Sequence, residues 1–477
     1  MMSIYKKVDS QDLQYFASIL QPESIRSDED SLQNASRDET EDISYLPEVV
    51  LFPYTVEEVS LILAYCTSKR ISVTTRGGGT GLAGGAIPVC SGVVLSMVRM
   101  DQILSIDTAN HQVTVEAGVL TEVLQETLLK QGLCYPPDPS SRGSCTIGGN
   151  ISTNAGGARA VKYGVTRDYV LNLEIVLADG SILWTGANTL KYASGYPLTQ
   201  IMIGSEGTLA VVTKIVLKIT TPPLFQKLMW IPCYDLAFTG QLVNDIINLR
   251  LQPSALELME KSAIMYALEY LSAPFFEGKE EERAYLMVEL DGQDELEITA
   301  RCEALFALCD ASGMTGEILF AESASEQLQF WQLRRSIGWA VKHHSVYKEE
   351  DTVVPRAYLP ELLAKVKDLG ASYGFQSVCY GHAGDGNLHI NIIKGNLSDE
   401  FWEHTLPKAI VELFTYVVSI GGAISGEHGI GLVQKQYLPI QFSQRHFEIF
   451  FGLKSLFDPQ NVLNPEKILS SKSNFTA

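Results

Sequence analysis

Apolar residues recur along this chain with two different spacings. In residues 56–68 they recur every three or four positions, which predicts a helix, whereas residues 71–75 form a β-branched run typical of a strand. The same criteria predict more elements before residue 180, namely a helix at 121–131 and strands at 92–97, 113–117 and 171–177. Helices that alternate with strands in this way indicate an α/β domain.

Pro222-Pro223 marks a boundary, because consecutive prolines disfavour both a continuing helix and strand pairing. Beyond it the pattern predicts long helices at 294–312, 326–343 and 360–373, with short strands at 285–290 and 388–393. This mixture is typical of an α+β domain. We therefore expect an N-terminal helical segment at 1–45, domains at 46–224 and 225–425, and a C-terminal segment at 426–477 that returns to the first domain.

Composition and charge narrow the function. The chain is 46% hydrophobic, and its net charge of −20 argues against nucleic-acid binding. The eight cysteines include no C-x-x-C pair, which argues against a zinc ribbon or an iron–sulfur cluster and suits a reducing compartment. The sequence shows no secretory signal and no transmembrane segment, so we expect a cytoplasmic protein, with peripheral contact at a membrane left open.

Three glycine-rich loops lie in the first domain. The first, Gly79–Gly84, fits the G-x-G-x-x-G pattern of a dinucleotide fold, but Pro88 and Gly92 leave no room for the helix that this fold requires. The second spans 146–157 and the third 204–209. Each loop by itself is an ordinary tight turn, but three in one α/β domain favour an extended cofactor with phosphates, which successive backbone N–H groups can hold.

The motifs Arg76–Leu82, Pro137–Ser141, Gly148–Gly157 and Gly204–Leu209 resemble the FAD-binding domain of the vanillyl-alcohol oxidase/p-cresol methylhydroxylase superfamily. The resemblance covers nearly the whole chain. Within the superfamily the chain looks closest to glycolate oxidase D subunits, D-lactate dehydrogenases and D-2-hydroxyglutarate dehydrogenases. It implies an α+β protein, with a p-cresol methylhydroxylase (PCMH)-type FAD-binding domain of two α/β subdomains and an α+β, ferredoxin-like substrate cap domain.

The resemblance also implies which residues bind FAD. Covalent members often place a histidine in the first loop, where this chain has Thr80, so noncovalent FAD is expected. The implied cofactor-binding residues are Arg76, Gly77, Gly78, Gly79, Thr80, Gly81, Leu82, Pro137, Asp138, Ser140, Ser141, Thr146, Gly148, Gly149, Asn150, Ser152, Asn154, Gly156, Gly157, Glu206, Gly207, Val211, Val212 and Asn464.

Three of the eight histidines fall in two dense motifs, 381–389 and 425–431. His382 and His389 are an odd number of residues apart, but the turn expected at 384–386 can bring both imidazoles to one site. With Glu427 they form a plausible set of ligands for Zn²⁺, Mn²⁺ or Fe²⁺. The spacing alone leaves a redox enzyme, a hydrolase and an Fe(II) oxygenase open, and the FAD-domain motifs favour the redox enzyme.

The resemblance assigns further roles around these motifs. It implies His382, His389 and Glu427 as metal ligands, His428 as the general base, and Arg334 and Lys348 as anchors for a substrate carboxylate. Two departures weaken an assignment to 2-hydroxyglutarate. Gly338 stands where some dicarboxylate-oxidising members carry a hydroxyl, and residues 348–351 are more acidic than the usual pattern.

The sequence therefore predicts an FAD-dependent dehydrogenase or oxidase that converts a small anionic D-2-hydroxy acid, glycolate or D-lactate, to the 2-oxo acid. A D-2-hydroxyglutarate dehydrogenase and a noncatalytic FAD-binding subunit of a glycolate oxidase complex are the alternatives. Electrons would pass to a separate iron–sulfur or flavoprotein subunit, or to a quinone. A homodimer is left open.

Overall fold

The computed structural model describes residues 4–272, 279–321 and 323–470. These form two compact units: 1–156, 165–222 and 427–477 make the first, and 157–164 and 223–426 make the second. Among the described residues, no helix is both long and apolar enough to span a membrane.

The strands are numbered along the chain. They are β1 Ile25–Arg26, β2 Val49–Leu51, β3 Val73–Arg76, β4 Val93–Ser96, β5 Ile103–Asp107, β6 Gln112–Glu116, β7 Val170–Val176, β8 Ile182–Trp184, β9 Val211–Lys218, β10 Phe225–Cys233, β11 Ala255–Glu260, β12 Ala284–Gly292, β13 Leu319–Ala321, β14 Tyr347–Val353, β15 Gln376–His382 and β16 Asn387–Ile393.

The α-helices are numbered in the same way. They are α1 Ser10–Ile19, α2 Glu29–Ala35, α3 Val56–Lys69, α4 Thr121–Leu129, α5 Ile147–Thr153, α6 Ala160–Tyr163, α7 Leu198–Met202, α8 Leu236–Asn248, α9 Lys261–Leu271, α10 Glu295–Ser312, α11 Ala324–His344, α12 Leu359–Tyr373, α13 Leu406–Ser419, α14 Leu438–Gln441 and α15 Gln444–Phe457.

The first unit contains two sheets. One has the order β1-β2-β4-β3, in which β2, β4 and β3 are parallel and β1 is antiparallel. The other has the order β5-β6-β9-β7-β8 and is antiparallel throughout. Residues 77–92 contain no helix, as the rejection of a Rossmann crossover predicted.

The local sequence explains where the helices of this unit start and stop. The helix α3 begins at a capping box, in which Thr55 accepts from the Glu58 N–H while the Glu58 side chain bonds back to the cap, and it ends at Arg70 with a left-handed φ of 56°. Its apolar stripe packs into one core with the inward residues of both sheets, including Val73, Leu95 and Ile215. This core fixes the loops at the ends of the strands.

The second unit is built on one antiparallel sheet with the order β13-β10-β12-β11-β15-β16-β14. Its strand register places Glu257 opposite His382, and Tyr380 and Asp351 opposite His389. Directly paired residues point to the same side of a sheet, so these side chains share one side, which we call the histidine face. Residues of α9 and α11 pack with apolar residues of this face in one buried cluster.

Candidate active site

The structure brings the three glycine-rich loops of the first unit together. A side chain at Gly77 would overlap Thr146 Oγ1, so the first loop lies directly against the start of α5 in the second loop. The third loop is bonded to the same helix, because the Gly204 N–H donates to the Ile151 carbonyl oxygen (2.9 Å) and the Glu206 N–H to that of Ser152 (2.8 Å). Three separate parts of the chain therefore meet in one region, as a site for an extended phosphate-bearing ligand requires.

Glycine stands at the positions of the first loop for different reasons. Gly77 and Gly78 are required by packing, because a Cβ at either position would overlap residues 144–146. Gly81 has neither a left-handed φ nor a close neighbour, since within the described residues a Cβ there would lie 3.8 Å from Asp38 Oδ2 and meet nothing nearer. The chain itself therefore does not require glycine at 81. A ligand that approaches the backbone would require it, so the three glycine-rich loops, which we call the glycine cradle, fit a cofactor such as FAD.

Several predicted cofactor residues use their side chains to shape the cradle. The Thr146 hydroxyl accepts from the Gly149 N–H at the start of α5 (3.2 Å), and Ser152 Oγ donates to the Gly148 carbonyl oxygen (2.9 Å). Asn150 is buried and donates to Thr121 Oγ1 (2.8 Å), while Asn154 ends the helix with a left-handed φ of 55°. These polar groups hold the backbone of the second loop in place.

Others are positioned by their own loops. Arg76 Nη1 donates to the Arg37 carbonyl oxygen, Asp138 is buried beside Arg142, and the Pro137 carbonyl oxygen accepts from Gln125. The remaining predicted residues differ in their exposure to solvent. Val211, Val212, Gly148, Gly156, Gly157 and Gly207 are buried, Thr80, Gly79, Gly81, Leu82, Gly149 and Ser141 are partly exposed, and Gly78 and Ser140 are exposed.

Asn464 and Glu206 are bound within the chain, although the sequence analysis expected them to contact the cofactor. The Asn464 amide donates to the carbonyl oxygens of Gly85 (2.9 Å) and Glu206 (2.8 Å), so it ties the first loop to the third. The Glu206 carboxylate accepts from the N–H groups of Ile430 (2.8 Å) and Gly431 (2.7 Å). Both side chains therefore organise loops around the cradle.

Glu206 supports the segment that carries Glu427 and His428. A Cβ at Gly429 would lie 2.9 Å from Glu206 Oε1, and a Cβ at Gly156 would lie 2.7 Å from Glu427 Oε2, so each glycine makes room for a carboxylate. Burial raises the pKa of Glu206 to about 7, although the hydrogen bonds that its carboxylate accepts from the two N–H groups act to lower the pKa. Glu427 Oε1 and His428 Nε2 are 4.0 Å apart.

The second unit brings His382 and His389 together. β15 ends at His382, β16 begins at Asn387, and the turn expected at 384–386 joins them. The two imidazole centroids are 5.4 Å apart with their planes nearly perpendicular, and both side chains are buried. The turn absorbs the odd spacing, so both rings lie on the histidine face.

A buried carboxylate that the sequence analysis did not identify holds His382. Glu257 is fully buried in β11, and its Oε1 lies 2.8 Å from His382 Nδ1. The same carboxylate accepts from Arg334 Nε (2.7 Å), and the Arg334 guanidinium lies 5.1 Å from the Tyr380 ring centroid. The one sequence signal is a carboxylate in the middle of the apolar run Ala255-Leu-Glu-Leu-Met259.

His389 also has carboxylates beside Nδ1. Glu349 Oε1 is 3.5 Å and Asp351 Oδ1 is 3.7 Å from that nitrogen. Asp351 in turn accepts from Asn387 Nδ2 (2.7 Å), Ser425 Oγ (3.1 Å) and the Gly426 N–H (3.0 Å). The peptide that precedes Glu427 in the chain is therefore held by the strand that faces His389.

This donor set fits a divalent cation. A histidine that ligates a metal usually donates its other ring N–H to a carboxylate or carbonyl oxygen, and here both Nδ1 atoms face carboxylates. That arrangement favours the tautomers whose Nε2 atoms act as ligands. Around the two imidazoles, the carboxylates of Glu257, Glu349 and Asp351 outnumber the Arg334 guanidinium, an excess of negative charge that a bound cation would offset.

Lys348 lies elsewhere. It pairs with Ile392 in β16, whereas its neighbour Glu349 pairs with Asn391. Successive side chains of a strand alternate, so Glu349 points to the histidine face and Lys348 to the opposite side of the sheet. This placement differs from the expectation that Lys348 and Arg334 together anchor the substrate carboxylate. The acidic residue, and not the lysine, occupies the position that points to the histidine face.

Two protein-family models match parts of the chain. Residues 47–186 match "FAD binding domain", and residues 223–468 match "FAD linked oxidases, C-terminal domain".

Named relatives cover most of its length. The chain is 35% identical to glycolate oxidase subunit GlcD of Bacillus subtilis (strain 168), over 91% of this chain and 92% of that protein. It is 37% identical to a D-lactate dehydrogenase of Anaerostipes hadrus, over 88% and 89%. It is 35% identical to a probable mitochondrial D-2-hydroxyglutarate dehydrogenase of Oryza sativa subsp. japonica, over 98% and 83%.

A solved structure shares the fold. The structure of p-cresol methylhydroxylase with substrate bound aligns with a TM-score of 0.80 at 16% identity, over 99% of both chains. The mixed helix and sheet architecture is therefore the PCMH-type FAD-binding fold, as the sequence analysis predicted.

Proposed function

The chain belongs to the FAD-linked oxidases, and on that premise we propose that this oxidoreductase converts a small D-2-hydroxy acid to the 2-oxo acid. Glycolate and D-lactate are the substrates that we favour. The observation that carries the proposal is the β15–β16 hairpin, whose two buried imidazoles have carboxylates beside Nδ1, in a chain that also has an FAD-binding domain. Relatives named for glycolate and D-lactate support the substrate class.

FAD would lie on the glycine cradle of the first unit, held without a covalent bond because Thr80 offers no imidazole. The backbone of residues 77–81, with that of Gly149 and Gly207, would hold its phosphates. When bound, FAD supplies a hydride acceptor for the carbon that carries the substrate hydroxyl. Asn464 and Glu206 would act indirectly, by fixing the loops.

His382 and His389 would hold a divalent metal through Nε2, with Glu427 as the third ligand inferred from the sequence. When bound, such an ion is a Lewis acid that makes the substrate hydroxyl easier to deprotonate. Glu257 would keep the proton of His382 on Nδ1 and so leave Nε2 as the ligand atom.

His428 would be the general base, accepting the hydroxyl proton on a ring nitrogen, because an imidazole titrates close to neutral pH. Arg334 would orient the substrate carboxylate. A guanidinium has five N–H donors, so the bond from Nε to Glu257 leaves others for an anion.

Two alternative functions differ in how well the observations support them. The similarity to a protein named as a D-2-hydroxyglutarate dehydrogenase keeps that substrate as the alternative. The subunit name of the Bacillus relative favours a separate partner that takes the electrons. A noncatalytic FAD-binding subunit has less support, because it would not need the two histidine motifs.

The test is anaerobic reduction of the bound flavin by D-lactate and by glycolate, followed through the loss of its visible absorbance. We expect the wild type to bleach. We expect His428→Ala to retain FAD and to bleach at least about 100-fold more slowly, as loss of a general base requires. His446→Ala, which removes an exposed histidine on α15, is the matched control. Bleaching of His428→Ala at the wild-type rate would overturn the assignment of the base.

A further inference from the structure

Glu349 occupies the inward position of β14. Its partner across the strands is Asn391, and its Oε1 lies 3.5 Å from Nδ1 of His389. Its side chain is 12% exposed, so its charge is only partly screened by solvent. A carboxylate therefore stands beside an imidazole that the proposed function assigns to the reaction centre.

Tyr380 lies near Arg334, the residue proposed to orient the substrate carboxylate. The Arg334 guanidinium lies 5.1 Å from the Tyr380 ring, and a Cβ at Gly338, one helical turn after Arg334, would lie 3.4 Å from Tyr380 Oη. The Tyr380 ring also lies 5.3 Å from the His389 ring, beside whose Nδ1 Glu349 stands. Tyr380 and His389 therefore link Arg334 to Glu349 through successive contacts on the histidine face.

The charges on this part of the histidine face are unequal. Among the described residues of β11, β14, β15 and β16 that point to it, the acidic side chains are Glu257, Glu349 and Asp351, and there is no lysine or arginine. Arg334 from α11 reaches these strands, and it already bonds to Glu257. One substrate carboxylate can be held by Arg334 and a bound metal, but a second would meet Glu349.

We propose that Glu349 restricts the substrate to 2-hydroxy acids with one carboxylate, because its charge repels a second carboxylate at the far end of the substrate. This inference rests on the proposed oxidation of 2-hydroxy acids and specifies its substrate class. Like charges separated by a few ångströms at a partly buried site disfavour binding by about tenfold or more. Short neutral substituents, as in D-lactate, carry no charge and meet no such penalty.

The test compares two substrates and two products in the FAD-loaded, metal-loaded protein. The kcat/KM for D-lactate is measured against that for D-2-hydroxyglutarate, and the dissociation constant of pyruvate against that of 2-oxoglutarate by calorimetry. We expect the wild type to favour the monocarboxylate in both comparisons. In Glu349→Gln, which removes the charge and keeps the shape, we expect both preferences to fall about tenfold, with the kinetic change mostly in KM. Glu349→Lys should lower them further.

The control is Glu350→Gln, on the same strand but on the other side of the sheet, which should leave both ratios unchanged. If Glu349 merely orients His389, Glu349→Gln will slow both substrates equally and the ratios will stay constant, which overturns the proposal. A wild type that oxidises D-2-hydroxyglutarate as well as D-lactate also overturns it, while the oxidation of 2-hydroxy acids stands. If no hydroxy acid reduces the flavin, the proposed function fails, and the calorimetric ratio still decides the role of Glu349.

Discussion

At the scale of single residues, the carboxylates beside Nδ1 of His382 and His389 favour the tautomers that leave Nε2 as the ligand atom. Glu257, Arg334 and His382 are far apart in the sequence, yet one carboxylate bonds to both of the others. The motif around His382 and His389 could be recognised from the sequence, because dense histidine, glycine and acidic patterns are local. Glu257 could not, because its role depends on the pairing of β11 with β15.

Glu206 gives a prediction about pH. The pKa of Glu206 is raised to about 7 in the folded protein, against 4.5 ordinarily, so the folded state binds this proton more tightly than the unfolded state does. The carboxyl therefore lowers the free energy of unfolding as pH rises from about 4.5 to 7, by roughly 3 kcal/mol in total. Glu206→Gln should remove this loss, and urea unfolding of both proteins from pH 5 to pH 8 measures it. Parallel pH profiles of wild type and variant would contradict the expectation.

At the scale of elements, amphipathic patterns predicted the helices and strands well where they were long. The helix expected at 56–68 is α3, Val56–Lys69, and the strand expected at 171–177 is β7, Val170–Val176. The helix α5 was not predicted, because Gly148 and Gly149 both disfavour helix. It forms because Thr146 caps its start and because the surrounding loops bond to it. Tertiary contacts override propensity there.

The glycine cradle gives a prediction at this scale. Gly81→Ala should leave the stability of the apoprotein nearly unchanged, within about 1 kcal/mol, because neither φ nor a neighbour requires glycine. It should weaken FAD binding, because the new methyl group would fill space that the cofactor uses. Gly452→Ala on α15, where a Cβ also meets nothing within 4 Å in the described residues, is the matched control. FAD titration and urea unfolding measure the two effects. Unchanged FAD affinity in Gly81→Ala would show that the cradle has another purpose.

At the scale of the whole molecule, the resemblance in the sequence reached the fold class and the family, and the alignments bear both out. The reason is that glycine-rich loops at defined places in an α/β domain are specific to a way of binding a cofactor. The choice of substrate was harder to predict from the sequence. In our proposal it depends on which of Lys348 and Glu349 points to the histidine face, and one position of strand register decides that.

The most direct test of the account is anaerobic reduction of the bound flavin by D-lactate before and after removal of metal. We expect the protein loaded with FAD and Zn²⁺ or Mn²⁺ to bleach with D-lactate and much more slowly with L-lactate. We expect a chelator to slow bleaching at least about 100-fold without releasing FAD, and added metal to restore it. Bleaching at an unchanged rate in the metal-free protein would contradict the role of the histidine face, and no bleaching by any 2-hydroxy acid would contradict the proposed reaction.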